Sequence, residues 1–210
     1  MKVLKVNITC YAENAYIYYD ENTLKAVLID IGRDTDELQE IIKNKELEVV
    51  GILLTHGHYD HIGGVLTCKE RYDAKIYAHE EEVQVTSDPL VNLSSMRMRV
   101  PIAFEPDVIL KDGEVIDFDT FKLKCIHTKG HTAGSSCFYD EENKVVFTGD
   151  TLFYNVYGRV DLPTSTNDIK KSITEKLFTL PTDTVAYCGH GEDTTIGYEK
   201  TNNYIKSFIE

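Results

Sequence analysis

Thr55-His56-Gly57-His58-Tyr59-Asp60-His61 packs three histidines and an aspartate into a single turn of chain, directly behind the apolar run Val49-Val50-Gly51-Ile52-Leu53-Leu54. Imidazole and carboxylate are the donors that borderline divalent ions favour, and a loop that only reversed the chain would have no use for so many. The apolar run reads as a buried strand whose end delivers the cluster. His56 and His58 flank a glycine, so both rings can turn to one ion. Asp60 and His61 are adjacent where the next helix opens and can face a second ion. The segment therefore reads as most of a two-ion site. The rest of the chain must supply the missing ligands, a scaffold and a pocket.

Seven histidines are available in all: 56, 58, 61, 79, 127, 131 and 190. His131 sits in Lys129-Gly130-His131-Thr132-Ala133-Gly134, and His190 in Gly189-His190-Gly191. Asp150 follows a strand in Thr148-Gly149-Asp150-Thr151, and its carboxylate can bridge two cations. Strand ends converge at one edge of a sheet, and glycine permits close backbone approach, so these distant segments can meet the opening motif. His79 and His127 fall outside the pattern and are expected in core or supporting positions. Asp30, in Leu28-Ile29-Asp30-Ile31-Gly32, is expected to be a structural partner of a neighbouring loop, and Tyr59 to support the site.

Around these ligands each half of the chain runs strands, then a helix, then a strand ending in polar residues. Alternation predicts strands around Leu4–Ile8, Asn14–Tyr19 and Lys25–Ile31, with a hairpin turn at Asp20-Glu21-Asn22. Asp34, with Glu37 three residues on, is expected to cap a helix whose apolar face is Leu38, Ile41 and Ile42. Glu48–Leu54 is the buried strand. A helix ending near Tyr72, a strand over Ala74–Ala78 and a short helix over 80–87 follow. Residues 88–106, with Pro89, Pro101 and Pro106, are expected to be an irregular excursion and a candidate lid. Later strands are expected at Val108–Leu110, Val115–Phe118, Phe121–Thr128, Ser135–Tyr139, Val145–Thr148 and Thr184–Cys188. Asn167 or Thr166 is expected to cap a helix carrying Ile169, Ile173 and Leu177. A final helix is expected to use Tyr198, Thr201, Tyr204, Ile205, Phe208 and Ile209. Two sheets packed face to face with helices outside, in a single domain over 1–210, is the economical layering for such an order.

Composition narrows the function. With 42% hydrophobic and 27% charged residues, the 210-residue chain suits a compact α/β domain with a sizeable core. Its net charge of −13, without a Lys/Arg-rich run, argues against a nucleic-acid partner. The apolar runs are far shorter than the roughly 20 residues that span a bilayer, so no membrane partner is expected. The N-terminus lacks a signal-peptide pattern, and five cysteines without Cys-x-x-Cys favour reduced thiols. Both point to the cytoplasm. The oligomeric state is left open.

His56-x-His58-x-Asp60-His61, followed by His131, Asp150 and His190, resembles the full ligand set of the metallo-β-lactamase superfamily, in order. Further stretches are similar to its glyoxalase II-like (hydroxyacylglutathione hydrolase-like) branch. They are Phe147-Thr148-Gly149-Asp150-Thr151-Leu152-Phe153, Gly158-Arg159-Val160-Asp161-Leu162-Pro163 and Gly189-His190-Gly191-Glu192-Asp193-Thr194-Thr195-Ile196-Gly197. Asp88-Pro89 with Asn92-Leu93-Ser94 fits as well. The resemblance implies an αββα sandwich of two mixed sheets. It implies one ion on His56, His58 and His131, a second on Asp60, His61 and His190, and Asp150 between them. Two divalent ions are implied, zinc first, with iron or manganese as alternatives. Asp60 and Asp150 are the expected catalytic carboxylates, and Tyr154, Tyr157 and Arg159 the expected substrate-binding residues. Glyoxalase II continues into a helical domain that contacts glutathione. This chain ends one helix after His190, so those contacts are expected to be absent or to come from elsewhere. Tyr154-Asn155-Val156-Tyr157 is bulkier than the branch usually shows, Ala133 stands where proline is common, and Thr164-Ser165-Thr166 replaces its glycines. A narrower pocket follows.

The activity implied is metal-dependent hydrolysis of a small thioester by a hydroxide shared between the ions. A thiolate, whose thiol has a pKa of about 8.5, leaves without protonation. The alternatives are a persulfide dioxygenase-like mono-iron oxygenase, and a lactonase or β-lactamase on the same fold. A tRNA-processing nuclease shares the core ligands but disagrees with the acidic surface. A non-enzymatic metal-binding module remains the reading in a different class.

Overall fold

A computed structural model describes residues 1–8 and 10–208. The first sheet is built from β1 (Lys2–Ile8), β2 (Glu13–Tyr19), β3 (Lys25–Ile29), β4 (Glu48–Leu53), β5 (Ile76–His79) and β6 (Val108–Leu110), in that spatial order. β1, β2 and β3 meander antiparallel, and β3, β4, β5 and β6 pair in parallel. Parallel pairing requires crossovers. These are supplied by α1 (Asp36–Asn44), by α2 (Tyr59–Ile62) with α3 (Val65–Tyr72), and by α4 (Val83–Ser87) with α5 (Ser94–Arg97). The second sheet has the order β12-β11-β10-β9-β8-β7, from β7 (Val115–Asp117), β8 (Lys122–His127), β9 (Ser136–Asp140), β10 (Val145–Gly149), β11 (Val185–Cys188) and β12 (Thr194–Thr195). α6 (Ile169–Glu175) makes the parallel crossover from β10 to β11, and α7 (Ile196–Asn202) follows β12.

Strand alternation sorts the apolar side chains into three layers. Along β2, Ala15, Ile17 and Tyr19 face the helices outside the first sheet, with Leu38, Ile42, Val65 and Cys68. Tyr16 and Tyr18 face inward, with Val27, Ile29, Phe121, Leu123, Phe138 and Phe147 of the inter-sheet core. Outside the second sheet, Cys137, Val146 and Ala186 meet Ile169, Ile173, Leu177 and Ile196. Each large apolar side chain taken out of water contributes roughly 1.5–3 kcal/mol against chain entropy. The hydroxyls of the inner tyrosines are satisfied within the core: Tyr18 donates to Asp140 Oδ2 at 2.7 Å and Tyr16 to the Cys188 carbonyl at 2.6 Å, both across the sheets. This is the expected αββα sandwich of two mixed sheets.

Local boundaries differ from the sequence reading. Asp34 does not cap α1. Its carboxylate is taken by Arg71 at 2.9 Å, and Thr35 caps instead, accepting from Leu38 N at 3.2 Å. Neither Thr166 nor Asn167 caps α6, whose flanking residue is Asp168 with no side-chain cap, and Leu177 lies beyond the helix in a 3₁₀ turn, Leu177–Thr179. The last helix begins at Ile196, capped by Thr195, and stops at Asn202. Tyr204–Phe208 is a separate 3₁₀ turn, and Ile209 lies outside the described residues. Residues 88–106 contain α5, and they are pinned. Asn92 holds Ile102 O at 2.9 Å, Ser94 Oγ accepts from Ile102 N, and Tyr59 N donates to Asn92 O at 2.9 Å. All cysteines are free, with four buried and Cys10 exposed. Cys188 belongs to the buried set, where burial pushes its thiol up to about 12. Among the described residues no helix is long and apolar enough to cross a membrane.

Candidate functional site

The ligand-type residues leave the sheets at one edge. His56 and His58 follow β4, and Asp60 and His61 lie in the first turn of α2. His131 lies between β8 and β9, Asp150 follows β10, and His190 follows β11. Two glycines make the convergence possible. Gly149 has φ +47°, and a Cβ there would lie 2.0 Å from Thr55 Oγ1. A Cβ on Gly189 would lie 2.5 Å from Asp150 Oδ1. Any side chain at either position would push the second sheet's donors away from the first sheet's.

Two donor trios result, His56/His58/His131 and Asp60/His61/His190, each with donor atoms within 4.8 Å of one another. His58 Nδ1 lies 2.9 Å from His131 Nε2, and His61 Nε2 lies 3.2 Å from His190 Nε2. Asp150 spans both trios. Its Oδ1 is 3.4 Å from His61 Nε2 and 3.6 Å from His190 Nε2, while Oδ2 is 3.5 Å from His131 Nε2. His56 Nε2 and Asp150 Oδ1 are buried without a hydrogen-bond partner.

The back of each ring is engaged. His131 Nδ1 donates to Arg159 O at 2.9 Å, and His190 Nδ1 to Ala12 O at 2.8 Å. His58 Nε2 meets Thr164 Oγ1 at 3.0 Å, and His61 Nδ1 meets Asp30 Oδ2 at 3.1 Å. His56 Nδ1 meets Thr55 Oγ1 at 3.2 Å, and that hydroxyl in turn donates to Asp30 Oδ2 at 2.5 Å. Every imidazole thus has one nitrogen fixed by the protein and the other turned to the cluster, the arrangement that orients a ligating histidine. Asp30 groups geometrically with His56 and His61 as a third donor set. Its oxygens are already spent on Thr55 N, Thr55 Oγ1 and His61 Nδ1, so it reads as a positioning carboxylate.

These residues fit a pair of ions. Nitrogens bound at about 2.1 Å to one tetrahedral ion would sit about 3.4 Å apart, close to the separations found. Burial, reinforced by neighbouring imidazoles, pulls His56 well below its ordinary value and His58 down to about 3, which keeps both rings neutral, as ligands must be. Burial also opposes charge on His61, yet Asp150 and Asp30 hold it well above the ordinary value. Asp150 is held well below its own by His61 and the other imidazoles, against burial. A bound ion would stand in place of the proton that these carboxylates favour on His61, which would then ligate as the neutral ring.

His58 and His131 of one trio, Asp60 and His190 of the other, and Asp150 form the floor of a cavity of about 480 Å³, walled by Leu93, Phe153, Val156, Tyr157 and Leu162 and flanked by Arg97 and Arg159. Of the expected substrate-binding residues, Tyr157 and Arg159 line this cavity. Tyr154 does not line it: its ring stacks on Tyr198 with centroids 5.1 Å apart. Tyr59 lines the cavity and packs edge-on against Tyr11. His79 and His127 stack on each other at 3.9 Å, away from the cluster.

Several participants carry no sequence signal of their own. Buried Glu82 accepts from Gly57 N and from Thr132 Oγ1, each at 2.7 Å, tying the two loops that carry the first trio. Burial drives its carboxyl up to about 7, against those bonds. Glu13 is fully buried and both its oxygens lack partners. Arg97 belongs to the irregular 88–106 segment, expected as a candidate lid, and no pattern in that segment singles it out.

Residues 8–190 match the family model of the metallo-beta-lactamase superfamily. The chain is similar to hydroxyacylglutathione hydrolase GloC of Haemophilus influenzae, 33% identical over 207 residues and covering 97% of each. Among solved structures it resembles BLEG-1 B3 metallo-beta-lactamase, with TM-score 0.90 and 33% identity over 97% of this chain and 99% of that one. It also resembles TTHA1623 in a di-iron-bound form, with TM-score 0.83 and 30% identity over 96% and 98%. The extent of the match, over a site of ordered imidazole and carboxylate donors at a sheet edge, means that the chain belongs to the metallo-beta-lactamase superfamily of metallo-hydrolases.

Proposed function

We propose that this protein hydrolyses a small thioester with two divalent ions held by His56, His58 and His131 and by Asp60, His61 and His190. One observation carries the choice of substrate. Apart from the donors themselves, the residues lining the cavity include no histidine, carboxylate or thiol, only the phenols of Tyr59 and Tyr157 and the two arginines. Nothing is left over to protonate an amine leaving group, whereas a thiolate departs unaided. When bound, a pair of divalent ions supplies a hydroxide nucleophile at neutral pH and polarises the carbonyl to be attacked. The chain's own residues do the rest. Asp60 lines the cavity and orients the attacking water by accepting its hydrogen bond. Asp150, facing both trios, keeps them in one register. Leu93, Phe153, Val156 and Leu162 exclude bulk water, and Tyr157 and Arg159 border the path of the substrate. Zinc is the first expectation for the ions, and the di-iron form of TTHA1623 makes iron the second.

The similarity to GloC supports this reading, since that protein is named for a thioester substrate. The likeness to BLEG-1, named as a β-lactamase, favours β-lactam opening as the second reading. The test is a panel assay of protein loaded with zinc, iron or manganese. S-lactoylglutathione and simple acyl thioesters are run beside a chromogenic β-lactam. Thioester turnover is expected, with Asp60→Ala and His131→Ala each lowering kcat/KM by more than about 100-fold. Absence of turnover on every thioester would overturn the proposal.

A further inference from the structure

Of the two arginines beside the cavity, Arg159 is neutralised by Asp161, with which it pairs through Nε at 2.7 Å and through its terminal nitrogen at 2.8 Å. Arg97 is exposed, and its guanidinium makes no hydrogen bond or ion pair among the described residues. An acidic chain of net charge −13 has no shortage of carboxylates to pair with it. A guanidinium left unpaired beside a cavity that reaches two ion sites is a free, planar, two-pronged donor for an oxyanion.

Its position is fixed from three sides. Arg97 ends α5, whose preceding residue Leu93 adopts φ 68° and itself lines the cavity. Asn92 and Ser94 clamp the segment on Ile102, and Asn92 O accepts from Tyr59 N within the ligand motif. The neighbouring Met98 packs toward Gly63, at the end of α2. Arg97 and Tyr59 line the same cavity beside Asp60. The segment that carries Arg97 is thus bonded to the turn that carries Asp60 and His61.

We propose that Arg97 is a specificity-determining residue that binds a carboxylate on the substrate, so that the thioester hydrolysed is that of an anionic thiol or acid rather than a neutral one. The proposal rests on the hydrolase reading above. Two ions on the cavity floor would themselves attract a carboxylate and hold the substrate with the wrong group at the reacting centre. A cation at the flank gives the carboxylate another partner and leaves the thioester carbonyl facing the ions. The apolar wall of Phe153, Val156 and Leu162 suits the uncharged stem between the two ends. The same charge offsets the acidic surface locally and draws an anionic substrate toward the mouth, an effect that salt weakens.

The test compares two acyl thioesters that differ only in the thiol part, one of 3-mercaptopropionate and one of 3-mercaptopropionamide. For metal-loaded wild type, kcat/KM is expected to favour the acid by about five- to tenfold, carried by KM, as suits a partly solvated guanidinium–carboxylate pair. In Arg97→Ala the ratio falls to about one, in Arg97→Lys part of it returns, and in wild type it shrinks as salt is raised. A wild-type ratio near one, or an acid preference that survives Arg97→Ala, would overturn the assignment. Binding is read separately from turnover by titrating cobalt-loaded protein with the two free thiols and following the visible absorption. If no thioester is hydrolysed, the hydrolase reading fails by itself. The arginine site then stands if the acid binds more tightly than the amide in wild type but not in Arg97→Ala, and falls if it does not.

Discussion

Asp30 shows how much of the site depends on a residue that touches neither substrate nor reacting atoms. Through Oδ2 it holds His61 directly and His56 by way of Thr55, so one carboxylate aligns a ring in each trio. In Asp30→Asn the amide can still accept from Thr55 N, but it cannot accept from both the Thr55 hydroxyl and His61. Affinity for ions at both trios is expected to drop by about 10- to 100-fold, measured by competition with a coloured chelator. Unchanged affinity would mean that the rings are held by packing alone. The reacting groups were legible in the sequence because His56-x-His58-x-Asp60-His61 has few other uses. Their supports were not. Asp30 was readable only as a structural residue, and Glu82 and Thr164 are ordinary surface-type residues until the fold brings them to Gly57 and His58.

Between elements, Glu82 is the tie that joins the loop after β4 to the loop before β9. Its carboxyl is raised from 4.5 to about 7, chiefly by burial. The folded protein therefore holds this proton more tightly than the unfolded chain. The stabilisation is complete below about pH 4.5 and is lost as pH rises through about 7, by up to about 3 kcal/mol. Glu82→Gln has no such proton to lose. Urea unfolding of the wild type is expected to weaken relative to Glu82→Gln between pH 5 and pH 8, and parallel pH profiles would refute the tie. At this scale the sequence was readable where period or alternation runs long enough. The strands came out within a few residues, and α1 and α3 were visible. Caps were misread where two candidates compete: Asp34 is claimed by Arg71, which leaves Thr35 to cap. α5 and β12 are too short, at four and two residues, for any period to show, and α5 carries Arg97.

For the whole molecule, the two-layer sandwich followed from halves that each read strands, helix, strand. The strand order did not, because choosing among parallel partners depends on where each crossover lands. Each trio draws on both sheets: His56 and His58 from the first with His131 from the second, Asp60 and His61 from the first with His190 from the second. Bound ions would cross-link the layers at this edge, so chelation is expected to lower the melting temperature and re-addition of zinc or iron to restore it in a concentration-dependent way. An unchanged melting temperature on chelation, with ion loss verified by elemental analysis, would contradict that picture. Asp150 carries this further. With one oxygen toward each trio, it is a single charge shared by two donor sets, and ions bound at the two would not fill as independent events. Whatever affinity the first ion gains or forfeits through the presence of the second, the second gains or forfeits in equal measure, so the order of loading is a property of the pair.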